Sequence, residues 1–263
     1  MPFLGGVSGP TELYRRALAL RPVNPAAAEE ALRAAAAAFS AAGDGVGRGE
    51  CLLELAQLAL GGAHLDAAQR YAVRALDCLR PARGDAAARA ALLAGEVALC
   101  QDDEAAAAAL FHEAKDASEG VTRARALELL GQLALDHGDL EGAEALWLEA
   151  WRELEDRGDP FHLAELRRHF AELAMLRGRP GETIAQLEAA LVVLDPLSDG
   201  DAGSFRASLH TELADLQADR GRTHEALLAY DAAHDFYLRF GMHRQAERLE
   251  RRRETLRWGM QTG

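Results

Sequence analysis

Nine histidines, three cysteines and 42 carboxylate side chains give this chain of 263 residues the raw material for metal or acid–base chemistry, and their spacing decides whether it is used. His162 and His169 stand seven apart, a separation that puts two side chains on one helix face two turns from each other. A helical zinc site of the protease kind pairs histidines one turn apart around a glutamate, and no HExxH run occurs. Ordinary polar surface is the expectation for the pair. His64, His112, His137, His210, His224, His234 and His243 are scattered singly. Cys51, Cys78 and Cys100 are odd in number, lie inside helical patterns and form no CxxC, so buried small hydrophobes are expected rather than a disulfide framework. There is no glycine-rich loop ending in Gly-Lys-Ser/Thr, no GxGxxG after a strand, and no nucleophile set beside a base. The expectation is a protein that is not an enzyme and uses no metal or cofactor.

Charge narrows the partners. A formal net charge of -13 repels nucleic acid and anionic membranes at long range and favours a basic partner. The N-terminal MPFLGGVSGP lacks a basic, apolar signal pattern, and no run approaches the ~20 apolar residues of a membrane span. A reducing cytoplasm is the expected location.

The elements that must position any site are helices. Apolar residues recur at helical spacing in nearly every segment between turns, and almost none alternates like a strand, so the fold is expected to be all-α. Asn24-Pro25 and Asp159-Pro160 each supply a cap followed by proline at the first helical position. The alanine runs Ala34 to Ala38 and Ala105 to Ala109 combine high helix propensity with close approach of a neighbouring helix. Expected helix pairs are 11–42, 46–80, 85–118, 121–157, 160–194 and 203–240, with disordered ends at 1–10 and 259–263. The turn formers from Asp195 to Ser204 predict a long solvated loop.

One stretch, GQLALDHGDLEGAEALWLEA from Gly131 to Ala150, states a pattern that the other pairs repeat. Taking Gly131 as position eight, Ala134, Gly138, Ala143, Trp147 and Ala150 fall at eleven, fifteen, twenty, twenty-four and twenty-seven. Ala56, Ala68 and Ala75, then Gly95, Ala107, Phe111 and Ala114, then Ala171, Thr183, Leu187 and Ala190, then Ala214, Ala226, Tyr230 and Ala233 keep that register. The pattern resembles the tetratricopeptide repeat (TPR), whose consensus has small residues and an aromatic at those places. Successive position-eight residues lie 39, 36, 40 and 43 apart, against ~34 in the standard unit. Long, irregular, alanine-rich repeats of this kind are similar to those of bacterial signalling proteins.

The resemblance implies a right-handed α-solenoid of about six helix pairs, closed by a capping helix at 241–258. That last segment is basic: Arg239 to Trp258 holds seven arginines and three glutamates. Besides capping the array, it could dock an acidic or phosphate-bearing partner, or contact the acidic array itself. The resemblance also implies a concave face lined by the first helix of each pair. At position two this gives Glu50, Arg89, Arg125, Glu165 and Ser208; at five, Leu53, Leu92, Glu128, Arg168 and Thr211; at nine, Gln57, Glu96, Gln132, Glu172 and Asp215. Leu60 and Leu99 follow at twelve. These positions lack the lysine and asparagine set with which some members grip a C-terminal carboxylate. The implied groove is apolar through Leu53, Leu92, Leu60 and Leu99 and acidic toward Glu172 and Asp215, suited to a segment with apolar anchors followed by basic residues. The function implied is that of an adaptor capturing a partner protein, as a monomer or weak homodimer; the alternative is a regulatory or sensory module controlling a separate effector.

Overall fold

The computed structural model describes residues 9–155 and 159–262. Among them are thirteen α-helices: α1 (Pro10–Leu20), α2 (Pro25–Ala41), α3 (Gly45–Gly61), α4 (Leu65–Leu79), α5 (Asp85–Leu99), α6 (Glu104–Ala117), α7 (Gly120–Asp136), α8 (Leu140–Glu155), α9 (Pro160–Leu176), α10 (Pro180–Leu194), α11 (Asp199–Asp219), α12 (Thr223–Arg239) and α13 (His243–Thr262). No strand occurs among the described residues, and no helix there is long and apolar enough to cross a membrane. The chain divides into a first compact unit ending at Glu149 and a second beginning at Ala150.

The second to sixth pairs are closed by the same turn chemistry. The last-turn carbonyl at position eleven accepts an N–H from beyond the turn: His64 to Ala59, Asp103 to Ala98, Asp139 to Ala134, Arg179 to Ala174 and Arg222 to Gln217, at 2.8 to 3.0 Å. This is the bond that satisfies an orphan carbonyl when a residue just past the helix turns left-handed. Gly138, Gly178 and Gly221 take that conformation with φ of 79°, 69° and 71°, whereas Ala63 and Asp102 adopt it at 58° and 60° in the second and third pairs. The second helix is then capped by a side chain in the third and fourth pairs, with Asp103 and Asp139 accepting from the N–H three residues on, and Asp159 caps α9 in the same way.

Packing within a pair depends on position eight facing position twenty-four. A Cβ on Gly131 would overlap the Trp147 indole, and one on Gly95 would overlap the Phe111 ring. Both aromatics are fully buried, and the Trp147 indole N–H donates to the Glu128 carbonyl at 3.1 Å. Where position twenty-four is smaller, as at Ala72 and Leu187, position eight is alanine. In the first unit Leu52, Leu53, Leu55, Leu79, Leu92 and Leu93 join Ala56, Ala72 and Phe111 in one core; in the second, Ile184, Leu187, Leu194, Leu209 and Leu213 form another.

Three expectations change. The loop expected from Asp195 to Ser204 is helical from Asp199, because Ala202 is fully buried and Gly203 lets the Phe236 ring approach the α11 backbone. The tail expected at 259–263 continues α13 to Thr262. Cys100 is exposed, since it ends α5 as its C-cap, while Cys51 is buried and its thiol is pushed up to about 12 by that burial. Residues 1–8, 156–158 and 263 lie outside the described residues, and with them most of the expected N-terminal segment and the end of the fourth pair.

Candidate functional site

In the first unit, the first-helix face carries a set of ion pairs between repeats. Arg89 Nη2 lies 2.8 Å from Glu50 on the preceding pair and its Nε 3.2 Å from Asp85. Arg125 reaches Glu128 at 2.9 Å and Glu96, one repeat back, at 3.5 Å. Arg21 pairs with Glu54, whose carboxyl is raised by burial against the opposing pull of Arg21 and Arg89. Tyr14 is pushed up to about 12 by burial, with Glu54 and Glu50 beside it adding to the shift. Partly exposed pairs of this kind contribute at most ~1 kcal/mol each, so their main effect is to neutralise the face.

Two expected groove residues are not on that face. Leu53 and Leu92 are buried in the core and offer nothing to a ligand. Position five points inward in these two pairs, where it is leucine packed into the core. Leu60 and Leu99 are half-buried against the same core, and Gln57 is half-buried beside them. Gln132 donates to Asp136 at 3.0 Å.

The second unit differs. Arg168, Ala171, Glu172 and Met175 on α9, Thr183 and Leu187 on α10, and Glu212, Asp215, Leu216 and Asp219 on α11 line a cavity of about 350 Å³. A second cavity of about 280 Å³ shares Glu212 and Asp215 and adds Ser208, Thr211, Tyr237, Gln245, Arg248, Leu249 and Arg252. The first has four carboxylates and one guanidinium around an aliphatic floor. Glu212 is raised above the ordinary glutamate range by burial, with Glu172 and Asp215 adding and Arg168 opposing. Glu172 is lowered by His169, whose Nδ1 lies 4.0 Å from its carboxylate. Asp215 accepts from the Tyr230 hydroxyl and pairs with Arg252, and Tyr230 is pushed up to about 12 by its burial and that carboxylate.

The structure therefore brings together Arg168, Glu172, Thr211 and Asp215 of the expected set. Glu165 is half-buried on α9 and lines neither cavity. Glu212, Met175 and Asp219 were not singled out in the sequence. Met175 stands at position twelve and was within reach of the repeat register; Glu212 at six and Asp219 at thirteen needed the α9 to α11 geometry. His169 is buried at 5% exposure, not on the surface, and His162 faces its own cap Asp159 at 3.1 Å. Among the described residues no three His, Cys, Asp or Glu side chains are grouped to hold a metal ion.

No family model matches the chain, and no curated protein matches it in sequence. Solved structures do. A Rap protein complexed with Competence and Sporulation Factor superposes with a TM-score of 0.66 at 14% identity, covering 97% of this chain and 77% of that one. The Rap conjugation gene regulator of plasmid pLS20, in complex with the Phr* peptide, gives 0.63 at 11%, covering 92% and 78%. The nearly identical TPR-like repeats of a chain named as a Podospora anserina kinesin light chain give 0.55 at 13%, covering 73% and 96%. The chain has the all-α helical-repeat fold of TPR-like proteins.

Proposed function

We propose that this protein is a non-enzymatic binding module that captures a segment of another protein on the first-helix face of its second unit. The observation that carries the reading is the α9 to α11 cavity, in which Glu172, Glu212, Asp215 and Asp219 surround Ala171, Met175, Leu187 and Leu216. Such a lining suits an arginine or lysine side chain, whose aliphatic stem lies on the apolar floor while its charge meets the carboxylates. Apolar residues of the same segment would supply the remaining burial. Two of the structurally similar proteins carry a factor or a peptide in their solved structures, which supports a polypeptide ligand. The second of them, named as a conjugation gene regulator, favours the regulatory variant of the reading, in which segment binding controls a separate effector.

Selection of a displayed random-peptide library on the full chain tests this. Enrichment of apolar residues next to arginine or lysine, lost on the Glu172→Gln/Asp219→Asn variant, is the expected result. Enrichment of acidic peptides, or of basic ones equally by that variant, would overturn it.

A further inference from the structure

A second cavity of about 350 Å³ lies in the first unit and has the opposite electrostatic character. Arg33, Ala36, Ala37 and Ser40 contribute one stripe of α2; Arg48, Leu52 and Leu55 contribute one stripe of α3; Tyr71 and Arg74 come from α4. The spacings are those of single helix faces, so three helices present one face each to the same space. No aspartate or glutamate lines it. Arg33 is offset by its ion pair with Glu29, and its Nε donates to the Tyr71 hydroxyl oxygen at 3.3 Å. Arg48 and Arg74 have no ion-pair partner among the described residues.

The local charge balance is unusual for its sign. On a chain of net charge -13, two arginines without a carboxylate share a cavity, although partnered arginines are common elsewhere in the same unit. Gathering like charges without a counter-charge is unfavourable, and the cost is relieved by a bound anion. The donors match a particular anion. Two guanidinia supply a charge of +2 and planar forks that fit oxyanions. Tyr71 accepts from Arg33, which leaves its own hydroxyl proton to donate outward, and Ser40 adds a second hydroxyl. A phosphate monoester is dianionic near neutral pH and has three acceptor oxygens, whereas a carboxylate has one charge and two oxygens. Leu52, Leu55, Ala36 and Ala37 give the ester's organic part an apolar wall.

We propose that Arg48 and Arg74, with the Tyr71 and Ser40 hydroxyls, form a binding site for a phosphate monoester between α2, α3 and α4.

Calorimetric titration of the full chain with phenyl phosphate and with benzoate, at equal ionic strength, tests it. Phenyl phosphate should bind saturably at one site, benzoate at least tenfold more weakly. Arg48→Gln and Arg74→Gln should each weaken phenyl phosphate at least tenfold, and Glu188→Gln, at an exposed position of the other unit, should leave it unchanged. Arg74 is exposed, so its substitution keeps the fold even where that of half-buried Arg48 does not; Arg48→Lys, which keeps the charge, should retain part of the affinity. A phosphoserine tripeptide binding more tightly than phenyl phosphate would assign the site to a phosphorylated side chain, and the reverse order to a free phosphate ester. Absence of saturable binding, equal binding of benzoate, or undiminished affinity in both glutamine variants would overturn the proposal.

Discussion

Arg252 on α13 reaches back to Asp215 on α11, its Nη1 2.6 Å from both carboxylate oxygens. A cation from the chain's own last helix thus already sits on a carboxylate shared by both cavities of the second unit. Arg253 pairs in the same way with Asp231 at 2.5 Å, while Ala246 and Leu249 bury the apolar side of α13. If the proposed segment binds there, α13 is also its competitor for Asp215. Arg252→Ala should free Asp215 and raise the affinity of a basic peptide several-fold, measured by fluorescence anisotropy; reduced affinity would show instead that Arg252 holds Asp215 in its binding orientation.

Gly131→Ala should destabilise the protein even though alanine is the better helix former. The propensity gain is about 1 kcal/mol, but the new Cβ collides with the fully buried Trp147, and overpacking typically costs ~1 to 3 kcal/mol. Urea unfolding should show a lower midpoint. Ala171→Gly, by contrast, opens space opposite Leu187 and should destabilise through the helix-propensity loss together with the lost methyl contact.

Ala63 offers the opposite change. It holds a left-handed φ of 58° at the turn where Gly138, Gly178 and Gly221 serve in other pairs. Glycine pays no Cβ penalty there, so Ala63→Gly should raise stability by about 1 kcal/mol, less the added unfolded-state entropy. A fall in the thermal midpoint would contradict the turn geometry.

Ligand binding should depend on pH through Glu212. Burial raises its carboxyl, so the folded chain keeps that proton to higher pH than the unfolded chain does. Its contribution to stability is present at low pH and is lost as pH rises from the ordinary glutamate range through the folded value. Glu172, lowered by His169, behaves oppositely and loses its contribution as pH falls through its folded value. A cationic ligand requires Glu212 charged, so affinity for a basic peptide should climb across the window above the ordinary glutamate range. Glu212→Gln should flatten that climb; an unaltered pH profile would remove Glu212 from the site.

Much of the fold was legible because the repeat register is written in small residues. Gly95 and Gly131 announce the aromatics at Phe111 and Trp147, and the position-eleven carbonyls fall where the turns require them. The α11 start was hidden because the turn formers Asp199, Gly200 and Gly203 read as loop, while the reason for Gly203, the Phe236 ring, lies near the far end of another helix. Site residues were legible only in part for a related reason. Repeat position says which face a residue occupies, but Leu53 and Leu92 show that residues at position five sink into the core, and Arg89 and Arg125 show that charges on the face neutralise each other across repeats. Only packing distinguishes a paired carboxylate such as Glu96 from those at Glu172, Glu212 and Asp219 that line an open cavity.

The central claim is that this cavity takes a cationic segment, and the most direct measurement is a titration of the full chain with the peptide acetyl-Leu-Leu-Arg-Arg-amide at two salt concentrations. Wild type should bind it with an affinity that falls as salt rises, because the attraction is between charges at a partly open surface. The Glu172→Gln/Glu212→Gln/Asp215→Asn variant should lose at least tenfold in affinity and most of the salt dependence. Equal affinity and equal salt dependence in the two proteins would contradict the account and move the binding face elsewhere on the molecule.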